Sequence, residues 1–284
     1  MKGESYFENI LVPVDGSHQC LHAEELAVTV AKKFRSKVTM VHVVPHAFLH
    51  PREPHPMPEA VAKEITGWFL QHGKKVVGEA EMLFRAEGIE VNAELIEYAD
   101  PAETIIQKTE SGKYDLVVIG NRGESEAETF SLGSVADKVS RHAECPVLIV
   151  KEKTKISKVL VGIDGSENAE KAIEHAVELA EKHKAKVTLL NVQESKIFGL
   201  KPEVARKIGE SILSGATAKV RGAKFITQLE FGNPAETMIE VAEKGSYDII
   251  VVGSRGLSSV KRFFLGSVSD DISHHAKCSV LIVR

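Results

Sequence analysis

The chain has 284 residues, 43% of them hydrophobic and 27% charged, with a formal net charge of −4. That length suits about two ordinary globular domains. The charge balance supplies no basic field for nucleic acid or an anionic membrane, and no apolar run approaches the roughly 20 residues of a membrane helix.

In chain order, the first half alternates strand and helix. Asn9 to Val14 reads as a strand, and His18 to Arg35 as a helix with Ala23, Leu26, Ala27, Val30, Ala31 and Phe34 on one stripe. Val38 to Val44 is the second strand, and a helix follows from about Glu59 to Ala86. Ile89 to Ile96 is the third strand, and a third helix starts at Pro101. Tyr114 to Ile119 is the fourth strand, Ser134 to Ala143 the fourth helix, and Val147 to Val150 the fifth strand. Strands separated by helices pair in parallel, so the expectation is a doubly wound α/β sheet.

The second half repeats the order, with strands near Lys158 to Ile163, Lys186 to Val192, Lys224 to Glu230, Tyr247 to Val252 and Val280 to Val283. From Ile96 to Val150 against Leu229 to Val283, 29 of 55 positions are identical without a gap. Two tandem domains are therefore expected, residues 1–151 and 157–284, with 151–156 as a short polar linker. The first half is longer in the middle because of a Pro/His-rich insertion, 45–58. Five prolines make it a loop, either a surface excursion or a lid, with His46, His50 and His55 as a remote metal set. Asp100-Pro101-Ala102-Glu103 and Asn233-Pro234-Ala235-Glu236 have the cap grammar of a helix start and read as structural. Cys20, Cys145 and Cys278 are too few for a disulfide framework and read as buried thiols of a reducing compartment. No charged-then-apolar leader precedes the first strand, so the expected location is cytoplasmic.

One spaced-glycine pattern occurs in both halves. Gly120-Asn121-Arg122-Gly123, nine residues, Gly133-Ser134 is matched by Gly253-Ser254-Arg255-Gly256, nine residues, Gly266-Ser267. Each copy leaves an apolar strand and enters a helix, where amides converge and the helix dipole is positive, so each suits a phosphate. Gly120 and Gly253 permit positive φ or close backbone approach, as do Gly123 and Gly256 at the far side of the turn. Gly133 and Gly266 open the helices, so the amides of Ser134-Val135 and of Ser267-Val268-Ser269 face the anion. The serines read as phosphate donors, as plain N-caps, or as both. Arg122 and Arg255 read as phosphate ligands or surface turn residues. Strand one ends in Asp15-Gly16-Ser17 and Asp164-Gly165-Ser166. If strands one and four are neighbours, each aspartate faces a glycine loop and its carboxylate suits ribose hydroxyls. The plainer alternative is a turn that only caps the next helix.

With these marks in both halves, the chain resembles a tandem member of the universal stress protein family, in its nucleotide-binding branch. The resemblance implies five parallel strands per half in the order 3-2-1-4-5, binding of ATP or AMP, and pairing through the last strand. Here that pairing would be an internal pseudo-dimer between the halves, with a further homo-dimer left open. It also implies that adenine packs against Pro13, Val14 and Val43 near Ile119, and in the second site against Ile163, Val192 and Val252, where Gly162 replaces the proline.

Glu124, Glu126 and Glu128 in one loop, against Lys261 and Arg262 in the other, imply unequal sites. The second is expected to hold ATP better, and the first to prefer AMP or need a divalent cation such as Mg2+. Neither Gly-x4-Gly-Lys-Ser/Thr nor Gly-x-Gly-x2-Gly occurs. The expected function is a nucleotide-dependent sensor or regulator acting on an unidentified protein partner, without catalytic residues and with at most weak ATP hydrolysis. The alternative is a slow ATP-hydrolysing or phosphoryl-transferring enzyme.

Overall fold

The computed structural model describes residues 5–45, 58–111, 113–123, 132–152, 155–194, 201–220, 224–257 and 265–284. The insertion, with His46, His50 and His55, lies outside the described residues apart from its end prolines. In the first half, β1 (Asn9–Pro13), α1 (His18–Phe34), β2 (Lys37–Pro45), α2 (Glu59–Ala86) and β3 (Val91–Ala99) come first. They are followed by α3 (Pro101–Glu110), β4 (Leu116–Gly120), α4 (Ser134–His142) and β5 (Val147–Val150). The second half repeats them as β6 (Lys158–Gly162), α5 (Glu167–His183), β7 (Lys186–Gln193), α6 (Pro202–Lys219) and β8 (Phe225–Phe231). It closes with α7 (Pro234–Gly245), β9 (Ile249–Gly253), α8 (Ser267–His275) and β10 (Ser279–Val283).

All ten strands form one sheet in the order β3-β2-β1-β4-β5-β10-β9-β6-β7-β8. Each half is thus a doubly wound 3-2-1-4-5 unit. Strands β4, β5 and β10 are buried along their whole length and, Ser279 apart, have no polar side chain, as suits interior strands. The halves meet where β5 and β10 pair antiparallel, with Leu148 opposite Leu281 and Ile149 opposite Val280. An apolar strand left at an edge invites pairing, and here each last strand closes the other's edge.

Helices α1, α2, α5 and α6 cover one face and α3, α4, α7 and α8 the other. Each face has one apolar core running through both halves. On the first face, the Tyr6 ring stacks on His175 of α5 at 4.1 Å and its hydroxyl donates to Glu174 at 2.7 Å. On the second, Arg141 of α4 bridges Asp137 (2.8 Å) and Asp270 of α8 (2.7 Å).

Two expectations need correction. The third strand runs to Ala99, not Ile96, and contains a bulge. Val43 pairs with Ile96 but Pro45 with Ala99, and Tyr98 takes a left-handed φ of 57°. β8 has no such shift, since Val192 and Gln193 pair with Glu230 and Phe231 in simple register. The ungapped alignment of the halves therefore hides one extra residue in β3. The 151–156 stretch is also more than a polar linker. Ile156 is buried in the core, and the Lys151 ammonium donates to the carbonyl of Ala276 in the opposite half.

Candidate functional site

β1 pairs with β4, and β6 with β9, so strands one and four are neighbours in each half. Their carboxyl ends lie where the winding reverses, which is where open parallel sheets place ligands. At this point of the first half, a cleft of about 260 Å³ opens. Its walls include Pro13, Val14, Asp15, Val43, Ile119, Gly120, Arg122, Gly123, Gly133, Ser134 and Val135. Sequence reasoning missed Cys20, His42, Phe69 and His72 on the same walls. It also assigned a purely structural role to Pro101, which lines the cleft with Ile105. The imidazole Nδ1–H of His42 donates to the Val14 carbonyl at 2.8 Å, holding the strand end that forms one wall.

The aspartate does two jobs. Asp15 Oδ1 accepts from the amide of Ser17 at 2.9 Å, and Gly16 turns the chain at φ 83°. Ser17 then caps α1 by accepting from the amide of Cys20. The other oxygen, Oδ2, lies against the glycine loop, since a Cβ on Gly123 would come within 2.8 Å of it. The turn-and-cap reading and the cleft-facing reading therefore both describe the geometry. Asp164 repeats this, with Oδ1 on Ser166 (2.9 Å), Oδ2 accepting from the amide of Leu257 (3.2 Å), and a Gly256 Cβ position at 2.5 Å.

The glycines serve close approach, not positive φ. None of the six loop glycines is among the residues with positive φ. A Cβ on Gly120 would press on the backbone of Gln19 at 3.0 Å, and one on Gly253 on that of Asn168 at 2.7 Å. Gly120 and Gly253 let the first turns of α1 and α5 sit against the ends of β4 and β9. Gly123 and Gly256 make room for the carboxylates.

The serines are not the caps. Gly133 and Gly266 are the N-caps of α4 and α8, with extended φ and ψ and no side-chain cap. In contrast, α1, α3, α5 and α7 are capped by Ser17, Asp100, Ser166 and Asn233. Ser134 and Ser267 are exposed first-turn residues. A helix start without a side-chain cap of its own, as in α4 and α8, is the kind of end whose amides suit an anion. The Ser269 hydroxyl donates to the Gly253 carbonyl at 2.6 Å and fixes α8 to β9.

The second site has a different floor. Met238 lies over Gly162, with Sδ and Cε 2.7 Å from the Cβ position, so its thioether covers the place the Pro13 ring takes in the first half. Ile163 and Val252 are buried and Val192 partly so. Val268 packs on the core beside the cradle, and the carbonyl of Arg255 accepts from Ser166. The loop charges Glu124, Glu126, Glu128, Lys261 and Arg262 lie outside the described residues.

Below the first cleft sits a pair with no counterpart in the second half. The Cys20 thiol donates to Glu24 Oε1 at 3.3 Å, where the other half has Ala169 and Ile173. Burial raises the Glu24 carboxyl to about 7 and the Cys20 thiol well above its ordinary range, so the thiol is no nucleophile at neutral pH. Burial likewise pushes Cys145 up to about 12, as expected for an inert thiol. The one group of three metal-type ligands among the described residues, Asp137, Asp270 and His274, is already bridged by Arg141 and is not among the cleft walls.

The fold and the loop define the class: two doubly wound α/β units in tandem, each with a glycine-lined amide cradle at the end of its fourth strand. The profile of the universal stress protein family matches residues 7–151 and again 155–284, and the chain belongs to that family. A universal stress protein of Methanocaldococcus jannaschii is 32% identical over 155 residues, which is 54% of this chain and 87% of that protein. The solved structure of one from Archaeoglobus fulgidus superimposes with a TM-score of 0.71 at 23% identity, covering 99% of both chains. A structure described as a universal stress protein from Pseudomonas aeruginosa gives 0.67 at 16% identity, covering 98% of this chain and 93% of that one. These two likenesses concern the fold. Among the described residues, no helix is long and apolar enough to cross a membrane.

Proposed function

We infer that the chain is a stress-response protein that binds adenine nucleotide, ATP or AMP, at the ends of β1 and β4 and of β6 and β9, and acts as a sensor or regulator. The observation that carries this reading is the pairing of a cleft-facing carboxylate with a cradle helix capped only by glycine. Asp15 would take the ribose hydroxyls through Oδ2. The first-turn amides of α4, with Ser134 and Arg122, would take the phosphates, and Pro13, Val14, Val43 and Ile119 would take the base. Asp164, the first turn of α8, Arg255, Ile163, Val192 and Val252 play the same parts in the second half, with Met238 covering the floor. Mg2+ would arrive with the polyphosphate, since among the described residues Asp15 is the one carboxylate on the cleft walls.

Among the described residues, the walls offer amides, the Arg122 guanidinium, the His42 and His72 rings, the high-pKa Cys20 thiol and the Asp15 carboxylate, which is already committed to the α1 turn. Phosphoryl transfer needs a positioned nucleophile and metal ligands as well. Binding without turnover is therefore the favoured reading, and the protein is proposed as a switch rather than an enzyme. The test is direct. The purified protein is denatured and the released small molecules are identified, and phosphate release from added ATP is followed. Co-purified ATP or AMP with no sustained release supports a sensor. Sustained release that disappears in Gly256→Val would show an ATPase instead.

A further inference from the structure

A closed circuit of hydrogen bonds joins the two cradles. The amide of Gly133, the N-cap of α4, donates to the carbonyl of Asn121 at 2.8 Å, and the amide of Asn121 donates to Val150 at 3.0 Å. The next residue, Lys151, crosses to the other half and donates to the carbonyl of Ala276, the C-cap of α8. At the far end of α8, the amide of Gly266 donates to Ser254 at 2.7 Å, and that of Ser254 to Val283 at 2.6 Å. The next residue, Arg284, crosses back and donates to the carbonyls of Ser140 (2.6 Å) and Arg141 (3.3 Å) in the last turn of α4. Each cradle helix is thus held at its N-terminus by its own glycine loop and at its C-terminus by the last residue of the opposite half. A cation on the last carbonyls is the favourable end of the helix dipole.

We propose that this circuit couples the two cradles, so that an anion bound in one tightens binding in the other. The proposal rests on the nucleotide reading of the clefts. An anion in the first cradle fixes the first turn of α4 against the Asn121 loop. Fixing α4 orders the carbonyls that hold Arg284, and Val283 and Ser254 behind it set the position of Gly266. The second ligand then meets a cradle already ordered, which is positive coupling without any large movement. The charges support the same sign. Lys151 and Arg284 are half-buried; desolvation first, with a smaller push from Arg122 on Lys151 and from Arg255 on Arg284, lowers their pKa values to about 8 and about 10. A phosphate on Arg122 or Arg255 offsets that repulsion and strengthens the bond across the interface. Arg141, shared by Asp137 and Asp270, ties the two helices side by side along the way.

The experiment is a thermodynamic cycle on the full chain with ATP as the probe. Gly123→Val closes the first cleft, so titration calorimetry of that variant gives the affinity of the second cleft with its neighbour empty. The wild-type isotherm gives it with the neighbour filled. The expected ratio is about 5- to 10-fold in favour of the filled state. Lys151→Met with Arg284→Met should keep two equivalents and bring the ratio to one. A second measurement guards against a folding defect in that variant. In Gly256→Val, which blocks the second cradle, ATP should slow amide exchange of α8 several-fold, and adding Arg284→Met should abolish the slowing. Two binding events with a ratio of one in the wild type would overturn the coupling and leave the nucleotide reading intact. A ratio unchanged by the double substitution, or α8 exchange indifferent to ATP, would overturn the circuit. No ATP binding at all would overturn the nucleotide reading and the coupling with it.

Discussion

Gly123 and Gly256 show how one missing atom makes the site. A side chain at either position would drive into the carboxylate of Asp15 or Asp164. Gly123→Val is therefore expected to lower ATP affinity of the first cleft at least tenfold while the second still binds, as read by titration calorimetry. Glu24 is a residue whose cost depends on pH. Its folded pKa of about 7 lies above the ordinary value of 4.5, so its penalty is absent below pH 4.5 and complete above pH 7. Glu24→Gln keeps an acceptor for the Cys20 thiol. It should stabilise the protein at pH 8 by roughly 2–3 kcal/mol and leave it unchanged at pH 4.5, measured by urea unfolding. The signal for this residue was present in the sequence, as one acid at position 24 beside the apolar stripe of α1. Its depth could not be read there, because it depends on neighbours distant in sequence, Glu79 of α2 among them.

At the level of elements, α4 and α8 differ from α1, α3, α5 and α7 by lacking a side-chain cap. Gly266 has extended backbone angles, and a Cβ there would meet its nearest neighbours at an ordinary 3.4 Å. Gly266→Asp should then cap α8 with its own carboxylate, adding about 0.5–1 kcal/mol of stability and removing ATP from the second cleft. A gain in stability with unchanged binding would mean that those amides do not face the ligand. His183, at the end of α5, gives a pH dependence of opposite sign. Burial first, and Lys33 second, lower it from 6.5 to about 4. The folded state keeps it neutral, so its contribution is whole above pH 6.5 and is lost as pH falls toward 4. His183→Gln should flatten the acid limb of stability in that window by on the order of 1 kcal/mol, discounted because the ring is only partly buried.

Element order and the glycine loops were legible because they are local patterns stated twice, as in Ile119-Gly120 and Val252-Gly253, whereas the strand order was implied by the family resemblance. The bulge at Tyr98 was not, since an inserted residue in a strand leaves the apolar alternation readable in two registers. Nor were Cys20, His42, Phe69 and His72 legible as cleft walls. Nothing in their spacing says that α1, β2 and α2 converge on the end of β4.

In the whole molecule, ten strands and two shared cores make the halves one body. Leu148 and Leu281 face each other at its centre, each 1% exposed. Leu148→Ala should cost about 2–5 kcal/mol and lower a single calorimetric transition, whereas two separated transitions would show halves that fold independently. Lys151 reads as linker in the sequence because its partner is 125 residues away. Long-range partnership of that kind carries no local signature.

Titration calorimetry with ATP on the wild type, on Gly123→Val, on Gly256→Val and on the variant carrying both tests the nucleotide reading most directly. Two equivalents in the wild type, one in each single variant and none in the double would match the geometry of the cradles. Binding that survives both substitutions, or no binding to the wild type, would contradict it.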